Sequence, residues 1–167
     1  PHNWDAPPVY RTEAPAESCV AAVKRNFPSS PTPRIIPASL LFRELGKMAD
    51  RGQLPNVASH FQLLADGTHP SNMGYYADNM LTLAILYGMR PDSFATTLHK
   101  LTWDNKLSTE LYFSIPDTTA KIMKQVAWDI MTTYPYTGIN GGFLISDRSL
   151  KPAVSGTAYA CTLHTLN

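Results

Sequence analysis

Two stretches with helical spacing of apolar residues, each ended by a helix-breaking residue, constrain the fold of this chain most strongly. In residues 71–87, apolar side chains recur every three or four positions, and Gly88 follows the last of them. A second such stretch, residues 117–133, lies between Pro116 and Pro135. Two amphipathic helices of this length need a shared core, so the sequence predicts one compact, helix-rich unit.

Shorter elements are predicted around these two helices. Residues 17–26 and 39–51 are expected to be helical, and residues 34–37 to form a short buried strand. Residues 92–99 are expected to form a short helix, with irregular chain continuing to residue 114. The tail, residues 139–167, is expected to form weak strands or loop, and its role is unknown.

The composition excludes several classes of protein. The chain has 167 residues, of which 44% are hydrophobic, enough for one sizeable core. Fourteen basic residues against thirteen acidic ones give a net charge of +1, so no field suited to nucleic acid is expected. No apolar run reaches the roughly 18 residues that a membrane-spanning helix needs, and we expect no membrane span.

The compartment stays open at this stage. Cys19 and Cys161 could form one disulfide in an exported protein, or remain free, buried thiols in a reducing compartment. The sequence begins at Pro1 rather than methionine and shows no signal peptide, so we expect a processed or incomplete product. A secreted or periplasmic location is slightly favoured.

Asp66 and His69 are the residues with the clearest chemical potential. They follow the apolar residues 61–65 and precede the strongest predicted helix, where a loop is anchored on both sides. A separation of three residues on a turn lets a carboxylate reach the imidazole, fix its tautomer and stabilise the imidazolium. Pro70 restricts the exit from this turn, and Ser71 is placed to cap the helix.

Residues 66–75, Asp-Gly-Thr-His-Pro-Ser-Asn-Met-Gly-Tyr, resemble the last sequence block of the SGNH, or GDSL-like, hydrolases. That block is a DxxH motif followed by proline and, a few residues later, by Gly-Tyr at the start of the C-terminal helix. Residues 34–38 and 52–55, with Trp128, Tyr134-Pro135 and Thr137-Gly138, resemble neighbouring segments of such proteins. The resemblance covers residues 1–138 and leaves the tail 139–167 unaccounted for.

The resemblance implies an α/β fold, namely the C-terminal part of a three-layer α/β/α, flavodoxin-like sandwich with a parallel sheet. It implies that Asp66 and His69 are the acid and base of a Ser-His-Asp triad. The substrate would be an acyl or acetyl ester of a small molecule or a carbohydrate, and no cofactor or metal would be needed.

The blocks that supply the nucleophile and the oxyanion donors in that family are not found in this sequence. Asp147-Arg148-Ser149 lacks the preceding glycine and follows the histidine instead of preceding it. Ser39, Ser59 and Ser71 also lack the expected context. We therefore expect an upstream segment or a second polypeptide to supply the serine, or self-association to cover the exposed edges of a divided sheet.

Three other interpretations remain open. Asp66-Gly67-Thr68-His69 could be a turn with a helix cap in a non-catalytic structural or interaction module. The side chains of His60, Asp66 and His69 could bind zinc or iron. The aromatic residues could line a sugar-binding surface, although at this frequency they usually fill cores; the tryptophans are Trp4, Trp103 and Trp128.

Overall fold

The computed structural model describes residues 13–101, 107–140 and 143–144. Within these residues the chain forms four α-helices and two antiparallel β-hairpins. In chain order the elements are α1 Ala14–Asn26, α2 Ala38–Asp50, α3 Asn72–Tyr87, β1 Thr97–Leu101, β2 Leu107–Ser114, α4 Asp117–Thr133, β3 Ile139–Asn140 and β4 Phe143–Leu144. Short 3-10 helices lie at His60–Leu63, Pro91–Ser93 and Pro135–Thr137.

The two long helices confirm the prediction from hydrophobic spacing. Helix α4 has the predicted bounds, and α3 begins one residue later because Ser71 is its N-cap residue. The Ser71 hydroxyl accepts a hydrogen bond from the backbone N–H of Gly74. At the other end, Gly88 adopts a left-handed conformation with φ of 63°, and its N–H donates to the carbonyl of Ala84.

The core lies where α2, α3 and α4 pack against one another. Many of its fully buried side chains come from these helices: Leu41, Leu45, Ala77, Leu81, Ile85, Met123, Ala127 and Met131. Burial of this apolar surface provides the main driving force for folding. The core fixes α3, whose N-terminal end carries the residues discussed below.

Helix α1 is attached to this core chiefly by carboxylates. It buries one side chain, Val20, and begins at Ala14, three residues earlier than predicted. Glu13 accepts a hydrogen bond from the backbone N–H of Leu40 in the first turn of α2, at 2.6 Å. Glu17 accepts one from the Tyr134 hydroxyl, also at 2.6 Å. Both bonds connect α1 to the rest of the molecule.

Three predictions of secondary structure were wrong: a strand at residues 34–37, a helix at residues 92–99, and irregular chain from there to residue 114, where β2 begins at Leu107. Residues 34–37 do not join a sheet: the Ile35 N–H donates to the carbonyl of Tyr136 at 2.8 Å, and the Ala38 N–H donates to that of Ile36 at 2.9 Å, so the chain turns at Pro37. Residues 92–99 do not form a helix, because β1 begins at Thr97 and pairs with β2. The pairing has register shifts on both sides of His99, which interrupt the alternation by which a strand is recognised in sequence.

The architecture is thus mixed α and β with helices predominating. The described strands pair only in antiparallel hairpins, β1 with β2 and β3 with β4, and the described residues contain no three-layer sandwich. In that same part of the chain, no helix has both the length and the apolar character to cross a membrane. Cys19 is exposed rather than buried, and Cys161 lies outside the described residues.

Candidate active site

The loop that carries the predicted acid and base is closed by backbone contacts between its two ends. Leu64 and Pro70 form an isolated antiparallel β-bridge. Just inside it, the N–H of Ala65 donates to the carbonyl of His69 at 2.7 Å. Residues 65–69 therefore form a small closed loop whose shape is defined at both ends.

Asp66 organises the backbone of this loop. Its Oδ1 accepts hydrogen bonds from the backbone N–H of Thr68 at 3.0 Å and of His69 at 2.8 Å. Gly67, between them, has φ of 85°, a conformation that residues with a side chain rarely adopt. These bonds, led by that from the His69 N–H and helped by the His69 side chain, hold the pKa of Asp66 well below its usual value. The carboxylate is therefore ionised near neutral pH.

The second oxygen of the same carboxylate contacts the imidazole. Oδ2 of Asp66 lies 2.6 Å from Nδ1 of His69. An ionised carboxylate can only accept, so Nδ1 must carry the proton that it donates. In the neutral ring this leaves the lone pair on Nε2, which is the tautomer that a general base requires. The His69 side chain is 70% exposed and Nε2 has no hydrogen-bond partner within the described residues.

The hydroxyl group of Ser71 makes two hydrogen bonds to the backbone, and Ser71 is therefore a poor candidate for the nucleophile. Its hydroxyl donates to the carbonyl of Gln62 at 2.7 Å and accepts from the N–H of Gly74 at 3.2 Å. Ser39 lies in the first turn of α2, and Ser59 precedes the 3-10 helix His60–Leu63. No serine among the described residues forms a hydrogen bond with His69, and Ser149 lies outside them.

The N-terminus of α3 fits closely against the preceding 3-10 helix. A Cβ atom at Gly74 would overlap the carbonyl oxygen of Leu63 and would lie 3.0 Å from the Phe42 ring and 3.1 Å from Pro70. Glycine is thus required for this approach. Because the Ser71 N–H also donates to the Leu63 carbonyl at 2.9 Å, this contact fixes the exit of the loop on α3.

His60 belongs to a different cluster from Asp66 and His69. It is only 4% exposed, and its Nδ1 lies 2.9 Å from both carboxylate oxygens of Asp50 at the end of α2. Its backbone N–H also donates to Asp50. Among the residues that the structure describes, no three His, Cys, Asp or Glu side chains are grouped so that they could hold a metal ion. The metal-binding interpretation of His60, Asp66 and His69 was wrong.

A contact that the sequence did not predict brings the β1–β2 hairpin to the start of α3. The hydroxyl of Tyr112 in β2 donates to Oδ1 of Asn72, the first residue of α3, at 3.2 Å.

Two surface cavities, of about 320 and 310 Å³, lie away from the loop 65–69. One lies between α2 and α4, and the other lies beside the N-terminus of α4. Neither cavity is lined by Asp66 or His69.

The arrangement provides an oriented acid and base with the chemistry of a proton-transfer site. It could remove a proton from a hydroxyl group placed at Nε2 of His69 and later return it to a leaving group. Comparisons of the chain with protein-family models, with curated proteins and with solved structures found no match.

Proposed function

We propose that this chain provides the acid and base of an ester hydrolase of the SGNH type, with Asp66 orienting His69 as general base. The observation that carries the proposal is the 2.6 Å contact between Oδ2 of Asp66 and Nδ1 of His69. It leaves Nε2 without a partner among the described residues, on a side chain that is 70% exposed.

The reaction would be acyl transfer in two steps. Nε2 of His69 would take the proton of a serine hydroxyl as the serine oxygen attacks the ester carbonyl. The imidazolium, stabilised by Asp66, would then give that proton to the departing alcohol and leave an acyl-enzyme. In the second step His69 would take a proton from water, the water would attack the acyl group, and the serine would recover its proton. The acyl group leaves, joined to the oxygen of water, as the free carboxylic acid, so atoms and charges balance.

The serine and the oxyanion donors would come from an upstream segment or a partner chain. An acid and a base without them should give little turnover, because these groups act as a unit. The exposed apolar side chains of α3 support this idea. Three apolar side chains of α3 are exposed to solvent, namely Leu83 at 41%, Leu86 at 60% and Tyr87 at 66%. Exposed apolar side chains on one helix are typical of a surface that a partner covers. We propose that the completed protein is a three-layer α/β/α sandwich in which such surfaces are covered.

The test is to purify the protein from its native source and to map its peptides for a polypeptide that contains a Gly-Asp-Ser motif. The complex should hydrolyse p-nitrophenyl acetate, and a fluorophosphonate probe should label its serine. Activity should fall by several orders of magnitude in His69→Ala, with folding unchanged. The matched control is His99→Ala, which removes another exposed histidine, in β1. Equal loss in both variants, or no labelled serine, would reject the proposal.

A non-catalytic structural or interaction module is the second candidate. One observation favours it: Oδ1 of Asp66 accepts two backbone N–H bonds and so closes the turn regardless of any catalysis. In that case the chain would form a stable assembly without esterase activity. His69→Ala would then leave assembly and every measured activity unchanged, whereas Asp66→Ala would lower stability.

A further inference from the structure

The cavity between α2 and α4, of about 320 Å³, is a groove with an apolar floor. One wall is formed by Leu40 and Met48, which share one face of α2 with Glu44. The other wall belongs to α4 and includes Val126 and Ile130. Leu40, Met48 and Val126 pack against the core but are only half-buried. The described residues therefore leave apolar surface uncovered in this groove.

The described chain begins at one end of the groove. Glu13 precedes α1, and its Oε1 accepts a hydrogen bond from the backbone N–H of Leu40 at 2.6 Å. Of the residues of α2 that line the groove, Leu40 is the nearest to the N-terminus of the helix. Residues 1–12 lie outside the described residues, and they join the described chain beside this end of the groove.

The segment that precedes Glu13 is long enough to lie along the groove. From Leu40 to Met48 the groove follows α2 for eight positions, which is about 12 Å at the rise of an α-helix. An extended chain spans at most about 3.3–3.6 Å per residue, so the four residues before Glu13 can cover this distance. Residues 9–11, Val-Tyr-Arg, are within that reach.

The charge of the groove suits this segment. Asp129 lines the groove on α4, where it accepts a hydrogen bond from the Gln125 amide at 2.7 Å and forms no ion pair within the described part of the chain. Glu44, on the α2 wall, already contacts the two cations beside it on its own helix. Asp129 is thus the carboxylate of the groove that remains for a cation, and Arg11 is the arginine of residues 1–12.

From the groove and the point at which the described chain begins, we propose that residues 9–11 dock between α2 and α4 of the same chain, with Val9 and Tyr10 against the apolar floor and Arg11 beside Asp129. The apolar contacts provide most of the affinity, because an exposed ion pair contributes little. Docking covers the half-buried side chains of the groove. It also gives α1 a further attachment to the core, which α1 contacts chiefly through two carboxylates.

The first test is NMR of the full chain with carbon-13 in the methionine methyl groups. The Met48 methyl should show a nuclear Overhauser effect to the ring protons of Tyr10. Tyr10→Ala should remove this effect and shift the Met48 signal, because the aromatic ring is lost, whereas the signal of Met123, fully buried in the core, should stay unchanged. Tyr112→Ala removes an exposed tyrosine of β2 outside the groove, so it is the matched control and should leave the Met48 signal unchanged.

A charge exchange tests the contact between Arg11 and Asp129. Arg11→Glu places two negative charges together and should lower the ratio of docked to undocked molecules about threefold. The Met48 methyl shift reports this ratio, because it moves from its wild-type value toward its value in Tyr10→Ala. Adding Asp129→Arg to Arg11→Glu should restore the wild-type shift. A double variant that still resembles Arg11→Glu would overturn the pairing of these two residues.

Two further results would overturn docking within one chain. The first is the absence of an Overhauser effect between Met48 and Tyr10 in the folded protein, with the same Met48 shift in Tyr10→Ala and in Tyr112→Ala. The second is an effect found only between differently labelled chains in a mixed sample, which would assign the groove to a second copy. The esterase reaction is independent of either result, and His69→Ala should leave the docking unchanged.

Discussion

The carbonyl oxygen of Leu63 occupies the space in which a side chain of Gly74 would begin. This contact joins the 3-10 helix His60–Leu63 to the first turn of α3, and it is made only because position 74 has no Cβ atom. It also sets the distance between the two ends of the loop that carries Asp66 and His69.

Gly74→Ala should destabilise the protein, even though alanine is the better helix former by about 1 kcal/mol. The new methyl group would overlap the backbone of Leu63, and we expect a net loss of about 1–3 kcal/mol, in the range of overpacking. Denaturant unfolding measures this loss. Asn79→Ala, at an exposed position of the same helix, is the control and should be neutral or stabilising. A more stable Gly74→Ala protein would contradict the close contact.

Asp66→Asn should change the tautomer of His69. The carboxylate oxygen now accepts from Nδ1, whereas an amide group can donate its N–H to that nitrogen and move the ring proton to Nε2. Nε2 would then lack the lone pair of a general base. Nitrogen-15 NMR of the imidazole reports the tautomer directly, and in the completed enzyme the activity should fall by about 10⁴-fold. An unchanged tautomer would mean that Asp66 does not orient the ring.

The loop should resist acid because the pKa of Asp66 is lowered from its ordinary value of 3.8. A depressed carboxyl pKa stabilises the folded protein at pH above the unfolded value, and this contribution is lost as the pH falls through the lower folded value. The carbon-13 shift of the Asp66 carboxyl group should therefore titrate only below the ordinary value. Asp66→Asn should abolish this titration. A midpoint at or above 3.8 would contradict the hydrogen-bonded turn.

Two tyrosine substitutions should have opposite effects on stability. Burial raises the pKa of Tyr76 to about 12, and its hydroxyl finds no hydrogen-bond partner among the described residues. Tyr76→Phe should therefore be neutral or stabilising. Tyr134→Phe removes the 2.6 Å bond to Glu17 and should cost about 1–2 kcal/mol. Thermal unfolding of the two variants, measured side by side, compares their stabilities. An equal loss of stability in both variants would show that the Tyr76 hydroxyl forms a hydrogen bond after all.

The helices could be predicted because their signals are local. Repeated apolar spacing, the cap at Ser71 and the stop at Gly88 all lie within the segments that they define. The β1–β2 hairpin could not be recognised in the same way, since its bulges interrupt the alternation of side chains. Residues 34–37 have the composition of a strand, but a strand needs a neighbour, and sequence alone does not say whether one is present.

The same distinction applies to the candidate site. Asp66 and His69 were paired correctly because a turn of three residues holds both of them. The contact between Tyr112 and Asn72 spans 40 positions, so nothing in the spacing indicated it. Gly74, a glycine within an otherwise helical pattern, is a sequence signal of the close backbone approach at Leu63.

The bridge between Leu64 and Pro70 means that contacts within this chain alone close the loop that holds Asp66 against His69. The conformational entropy of residues 65–69 is lost when this chain folds, and not when a nucleophile or substrate binds. Assembly of a complete site would then require only docking of preformed parts, and its rate would follow diffusion and surface fit instead of a slow rearrangement of the loop.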